Sequence, residues 1–184
     1  MRALVLCAGL GTRLRPLTYF NPKVMIDIEG KPCLEWIIED LHRFGIYEIV
    51  VNLHYKSDKI MKHFGNDLLY FYEPKLLGED KTLEIITSKF QFIKGDYLLV
   101  RNGDTLTNLN LPDFFKISQG KSIRHMDKVN KNIYAGTKIL SPDYFLKGEK
   151  VLDCYLSNTW WVDIGTFQGL KKARKIYEKF GSMR

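Results

Sequence analysis

The stretch that most restricts what this chain can fold into is its beginning, Arg2 to Lys23, RALVLCAGLGTRLRPLTYFNPK. Ala3-Leu4-Val5-Leu6-Cys7 is an unbroken apolar run, the pattern of a strand buried on both faces and hence of a parallel sheet. Gly9 and Gly11 follow at once, then Thr12, Arg13 and Arg15. Glycines let backbone N–H groups close on an anion, and an arginine fork matches phosphate geometry. Pro22 biases Asn21 towards an extended conformation, so Lys23 is expected on a stretched segment returning past the loop. Strand, glycine loop, arginine and second cation together describe a polyphosphate site. On its own, a Gly-x-Gly turn after a strand is as often a structural turn. A dinucleotide fingerprint would need a third glycine where Leu14 stands, and no Gly-Lys-Ser/Thr follows to make a Walker loop.

The apolar runs that follow are short and alternate with helical patterns. Leu34, Ile37, Ile38 and Leu41 form a helical stripe opening at Pro32 and closed by Gly45, and Tyr47 to Asn52 is a second buried strand. Ser57 is the expected cap of a short helix with Ile60, Met61 and Phe64 inward, closed by Gly65. Leu68 to Tyr72 is a third strand, Glu73 to Lys81 a polar loop, and Thr82 to about Phe90 a helix. Tyr97 to Val100 is a fourth strand, ending in Arg101-Asn102-Gly103-Asp104. Met25 to Ile28 reads as a short extended piece. Further on, Pro112 to about Gln119 is helical, and Lys121 to Arg124 and Tyr134 to Leu140 are strands. Ser141-Pro142 opens another helix, while Cys154 to Leu156 and Trp160 to Val162 suggest a last hairpin. The expected fold is α/β: a Rossmann-like three-layer sandwich around a mainly parallel, mixed sheet. Ligands in such sheets sit at the carboxyl ends of strands, where the glycine loop and Asp104 both fall.

At 184 residues the chain is expected to form one domain, large enough to bury ~70% of the surface it exposes unfolded. No apolar run approaches the ~20 residues of a membrane span, and the N-terminus lacks a signal-peptide pattern. Cys7, Cys33 and Cys154 have no metal-ligand spacing, which fits reduced thiols in a cytoplasm. The net charge of +7 suits either nucleic acid or phosphorylated small molecules. Much of it comes from Lys171, Lys172, Arg174, Lys175 and Lys179, interleaved with Leu170, Ala173, Ile176, Tyr177 and Phe180 at helical spacing. That is the pattern of a solvated helix face, and no nucleic-acid module accompanies it.

Two carboxylates stand after apolar strands, Asp104 in NGD and Asp163 in WVDIGT. Either alone is ordinarily a turn or helix cap. Together, facing a phosphate site, they suit Mg²⁺, which takes one or two carboxylates and completes its shell with phosphates and water. His42, His54, His63 and His125 read as surface or structural residues.

With these segments in hand, the sequence resembles the sugar-1-phosphate nucleotidylyltransferases, which join a nucleoside triphosphate to a sugar phosphate and release pyrophosphate. LCAGLGTRLRPLT with NPK is similar to the family's signature loop, IEGKPCLEWIIEDL to the following strand and helix, and NGD and WVDIGT to its metal segments. The resemblance implies that Leu6, Ala8 and Gly9 border the base and that Gly11, Thr12 and Arg13 hold the phosphates. It implies further nucleotide contacts from Gly78, Asn102 and Gly103, catalytic neutralisation of charge by Arg13 and Lys23, and Mg²⁺ held by Asp104 and Asp163. HMDKV resembles the family's E-K-P, placing Asp127 and Lys128 at the acceptor with Gly136 from a Tyr-Ala-Gly turn. A phosphate monoester is largely dianionic at pH 7 and attacks phosphorus without a base, so positioning and neutralisation suffice.

Three departures stand out. The usual L-G-T-A/G-G is Leu77-Gly78-Glu79-Asp80-Lys81, which puts negative charge near the base and ribose. The region of about 119–160 is abbreviated, so the acceptor half is reduced. Asn132-Ile133-Tyr134 carries tyrosine where N-A-G has asparagine. The implied function is Mg²⁺-dependent transfer of a nucleotidyl group to a sugar 1-phosphate. The alternatives are a cytidylyltransferase acting on a small phosphate such as phosphocholine, and an inactive nucleotide- or partner-binding homologue. The expected partners are a nucleoside triphosphate and a phosphorylated acceptor, with neither nucleic acid nor membrane.

Overall fold

The opening apolar run forms β1 (Arg2–Leu6), with Ala3, Leu4 and Val5 buried on both faces of a sheet. The computed structural model describes residues 1–89, 96–129, 133–146 and 152–181. After β1 come 3-10 turns at Thr12–Leu14, Leu17–Tyr19 and Lys23–Met25. Next are the short strands β2 (Asp27–Ile28) and β3 (Lys31–Pro32), helix α1 (Cys33–Arg43), β4 (Ile49–Leu53), α2 (Ser57–Phe64) and β5 (Leu69–Tyr72). The middle of the chain supplies α3 (Glu79–Lys89), β6 (Leu98–Asn102), β7 (Thr105–Thr107) and α4 (Leu111–Ser118). The remainder is β8 (Ile123–Asp127), β9 (Tyr134–Leu140), α5 (Pro142–Leu146), β10 (Asp153–Ser157), β11 (Trp161–Asp163) and α6 (Phe167–Gly181).

Seven strands form one sheet in the order β10-β8-β9-β6-β1-β4-β5. All run in one direction except β9, which is antiparallel to β6 and to β8. The period-two alternation of strands sorts their side chains into two cores. Ala3, Val5, Ile49, Val51, Leu99 and Ile139 pack with the apolar stripes of α1, α2, α4 and α6. Leu4, Val50, Leu98, Val100 and Leu140 pack with Leu83 and Ile86 of α3 and Tyr144 of α5. Each such leucine, isoleucine or valine contributes ~1.5–3 kcal/mol by leaving water. The result is the three-layer α/β sandwich expected from the sequence, with a mixed, mainly parallel sheet.

Topology sets up the site. The carboxyl ends of β1, β4, β5, β6 and β8 share one edge of the sheet, and the reversal of β9 brings its amino end, Tyr134–Gly136, to that same edge.

Several local expectations are corrected. Lys23 is not on a stretched segment but opens a 3-10 turn, after Pro22 at φ −62° and ψ 147°. Ser57 is the first helical residue of α2 and makes no capping bond; Lys56, in the left-handed region, holds the cap position. The loop after β5 is shorter than expected, because α3 begins at Glu79 rather than Thr82; Phe90 lies outside the described residues. The HMD segment belongs to a strand, since β8 extends to Asp127. α4 begins at Leu111 rather than Pro112, capped by Asn110, whose Oδ1 accepts from the Asp113 N–H at 3.0 Å. The expected final hairpin does not exist: β10 joins the main sheet beside β8, and β11 pairs antiparallel with β7. Ser141 turns its hydroxyl to Ser122 at 3.1 Å, while Pro142 does open α5.

Candidate active site

The site is built around the end of β1, against which two glycines, Gly103 and Gly11, have no room for a side chain. A Cβ on Gly103 would lie 2.5 Å from Cys7 Sγ and 2.8 Å from the Leu6 carbonyl. The bare backbone therefore docks directly, the Gly103 N–H donating to Leu6 O at 2.9 Å. This contact places Asn102, Gly103 and Asp104 against the start of the glycine loop. Gly11 is restricted in two ways, by φ +64° and by Thr18 Cγ2 and Lys23 Cβ at 2.8 and 3.0 Å from where its Cβ would be. The Thr18 hydroxyl donates to Gly11 O at 2.9 Å and fixes the loop from behind. Leu14, standing where a third fingerprint glycine would be, is fully buried and pins the loop to the core. Thr12 and Arg13 are left exposed.

Leu6, Ala8 and Gly9 share an opening of about 250 Å³ with Gly78, Glu79 and Asn52. Its floor is a hydrogen-bonded network the sequence reading did not single out. The Cys7 N–H donates to Asn52 Oδ1 at 2.6 Å, and Asn52 Nδ2 donates to Glu73 Oε1 at 2.8 Å. The Thr82 hydroxyl also donates to Glu73 Oε1, and the Leu77 N–H to Oε2 at 3.2 Å. Glu73, only 1% exposed, thereby ties β1, β4, β5 and α3 together. Asn52 carries the same signal as Asp104, a polar residue ending an apolar strand.

Asp104 and Asp163 are brought together by the ladder of β7 and β11. Asp163 pairs with Thr105, and the Ile164 N–H donates to Asp104 O at 2.9 Å. Lys23 Nζ is bonded to Asp104 Oδ2 while its Cβ stands against Gly11, so one residue links the carboxylate to the loop. A Cβ on Gly165 would lie 2.7 Å from both Arg13 Nη2 and Asp163 Oδ1, which puts the arginine beside the second carboxylate. Asp163 Oδ1 accepts from the Gly165 N–H. Among the described residues no group of three metal-ligating side chains occurs. Two adjacent carboxylates are a donor set that fits Mg²⁺, whose other positions go to phosphate oxygens and water.

On the other side of Asp163 is a cleft of about 430 Å³ lined by Asp127, Thr159, Trp161, Asp163 and Lys172 among others. Trp161 Nε1 donates to Asp127 Oδ2 at 2.7 Å. Asp127 and Asp163 thus face one space, while Lys128 is exposed just past β8. Gly136 is placed against Thr105, whose Cβ would stand 2.8 Å from an added Cβ. Lys172 is a cleft residue as well as part of the solvated face of α6. His125 is buried, bonded to Ser157 at 2.8 Å and pushed down to about 4 by burial. Cys7, Cys33 and Cys154 are unpaired, and burial pushes the Cys7 and Cys33 thiols up, which makes them poor nucleophiles. Arg101, adjacent to the NGD segment, turns away from the site. It is 1% exposed, donates to Asp40 at 2.6 Å, and with Trp36, Trp160 and Tyr177 lines a separate cavity of about 420 Å³.

A family model described as nucleotidyl transferase matches residues 2–123. The bifunctional protein GlmU of Methanococcus maripaludis is 36% identical over 129 residues, covering 69% of this chain and 30% of that protein. The D-glycero-alpha-D-manno-heptose 1-phosphate guanylyltransferase of Campylobacter jejuni is 34% identical over 135 residues, 71% of this chain and 59% of its own length. The matched region thus spans about a third to three-fifths of these relatives. Among solved structures, a putative glucose-1-phosphate thymidylyltransferase from Bacillus anthracis, in complex with sucrose, superposes with a TM-score of 0.82 at 16% identity. That superposition covers 96% of this chain and 94% of the other, and establishes the likeness of fold.

Proposed function

The chain belongs to the nucleotidyl transferase family, and on that premise we propose that it transfers the nucleotidyl group of a nucleoside triphosphate to a sugar 1-phosphate, releasing pyrophosphate. The observation that carries this is the convergence of an anion-receiving glycine loop, Arg13, Lys23 and two aspartates at one edge of the sheet. The triphosphate lies with its base in the opening beside Leu6, Ala8, Gly9 and Gly78 and its phosphates along Gly11, Thr12 and Arg13. The acceptor occupies the cleft beyond Asp163, where Asp127 is held by Trp161 for its hydroxyls and Lys172 offers a cation to its phosphate, with Lys128 exposed just past β8. Gly136 leaves the amino end of β9 close to Thr105, forming the acceptor side's wall.

The acceptor phosphate is already dianionic near neutral pH, so its oxygen attacks the α-phosphorus directly and the bond to pyrophosphate breaks in line. Arg13 and Lys23 counter the charge that gathers on the α-phosphate and the departing pyrophosphate. Asp104 and Asp163 would hold Mg²⁺, which when bound neutralises phosphate charge and orients the reacting groups. Lys23, bonded to Asp104, keeps that carboxylate aimed. The continuous sheet carries both the nucleotide and the acceptor edge, which supports a single domain over 1–184. The cytoplasm, which supplies nucleoside triphosphates, is the compartment this reaction needs.

The test is pyrophosphate release with Mg²⁺, each common nucleoside triphosphate in turn, and a panel of sugar 1-phosphates. One pairing should turn over, and Asp104→Asn should lower kcat by at least about a hundredfold. Turnover with phosphocholine instead, or with no acceptor at all, would contradict this reading.

A further inference from the structure

Glu79 and Asp80 place negative charge beside a pocket that has to receive a polyphosphate, and the structure shows how that conflict is handled. From the first turn of α3, Glu79 lines the nucleotide opening, and its Oε1 accepts a hydrogen bond from Lys138 Nζ. Lys138 lies on β9, the one reversed strand, in register with Val100 of β6 and on the face that packs against α3. It is only 6% exposed, a rare position for an ammonium. An ion pair of this kind, with its ammonium buried and its carboxylate half-buried, adds little to folding stability, because the desolvation of the lysine offsets the attraction. Its worth must lie elsewhere, and one member lines the nucleotide opening.

We propose that Lys138 is a positioning residue for the nucleotide, holding and neutralising the Glu79 carboxylate so that the acidic loop can stand beside a triphosphate. This assignment rests on the nucleotide-binding reading above. It accounts for a loop that departs from the family pattern without losing its place: the charge added at residue 79 is met by a cation supplied from a different strand. Without Lys138 the carboxylate would be free to turn into the opening and repel the phosphates.

The charged and titratable groups around the pair are few. Arg124 of β8 stands in register beside Lys138 and directs its Nε to Cys154 Sγ at 3.5 Å. Asp80 of α3 faces Tyr144 of α5, with Asp143 on that same helix. Burial pushes the Lys138 ammonium down to about 8. The sign follows: as pH rises through 8, Lys138 loses its proton and Glu79 loses its counter-ion, so affinity for a triphosphate falls. The nucleotide's own last phosphate proton has left by then, its pKa being about 6.

The experiment is calorimetric titration with Mg²⁺ and each of ATP, GTP, CTP, UTP and dTTP, from about pH 7 to about pH 9.5, on four proteins. Wild type should bind its preferred triphosphate roughly tenfold more weakly at the alkaline end. Lys138→Gln should be weaker by roughly tenfold at every pH, and the double variant Glu79→Gln/Lys138→Gln should recover to within about twofold of wild type at neutral pH. Glu79→Gln should show a flat profile, since it has no carboxylate left for Lys138 to neutralise. A flat wild-type profile, an unaffected Lys138→Gln, or a double variant as weak as Lys138→Gln would overturn the assignment. A wild type that binds no triphosphate at neutral pH would instead overturn the nucleotide reading itself, and this one with it. The recovery in the double variant separates positioning from a merely weakened fold.

Discussion

Single residues show why some of the site was readable and some was not. Gly11, Arg13, Lys23, Asp104 and Asp163 each stand at a sequence position where chemistry has few substitutes, a turn in the left-handed region, a phosphate fork, a carboxylate after a strand. Glu73 was hidden because it opens a polar loop and looks solvated, although its acceptors are saturated by Asn52, Thr82 and the Leu77 N–H. Replacing it by leucine strands those donors in a buried place. Glu73→Leu should therefore cost about 3 kcal/mol of unfolding free energy, read from urea denaturation, with nucleotide affinity falling as the floor of the opening loosens. A surface role for Glu73 would show instead as a change within about 0.5 kcal/mol.

At the scale of elements, strong periodicity was legible and short pieces were not. β1, β4, β6 and α1 announce themselves by unbroken apolar runs and a regular stripe, and the structure has them within a few residues of the expected bounds. β7 and β11 are three residues each, too short to carry a period, and their pairing joins segments far apart in sequence. The expected hairpin failed for that reason: turn chemistry near Ser157–Thr159 is local, whereas the partners of β10 and β11 were decided by β8 and β7. Arg101 joins elements in a way the sequence concealed, since an arginine in a strand beside NGD looks like a phosphate ligand. It pairs under the sheet with Asp40 of α1. Asp40→Ala should lower stability by about 2–3 kcal/mol, less than for a fully enclosed pair because Asp40 is 18% exposed. Thermal melting monitored by circular dichroism checks this, and an unchanged midpoint would mean that water replaces Asp40.

For the whole molecule, fold class followed from the alternation of strand and helix, and the reversal of β9 is what the sequence withheld. That reversal brings an amino-terminal strand end, with Gly136, to the edge where the other strands end, so one edge holds the glycine loop, the two carboxylates and the cleft beside Asp163. The family match covers residues 2–123, so the strand β9 that carries Gly136 lies beyond it. Net charge acts at this scale too. At +7, association with a polyanionic triphosphate should slow as salt is raised. The most direct test of the central claim, a metal-dependent triphosphate site at the end of β1, is calorimetric titration of ATP, GTP, CTP, UTP and dTTP with and without Mg²⁺. One triphosphate should bind selectively, with the Mg²⁺-dependent part of its affinity lost in Asp104→Asn and in Asp163→Asn. Absence of binding at millimolar concentration by all five, or binding indifferent to Mg²⁺ and to both aspartates, would contradict the account.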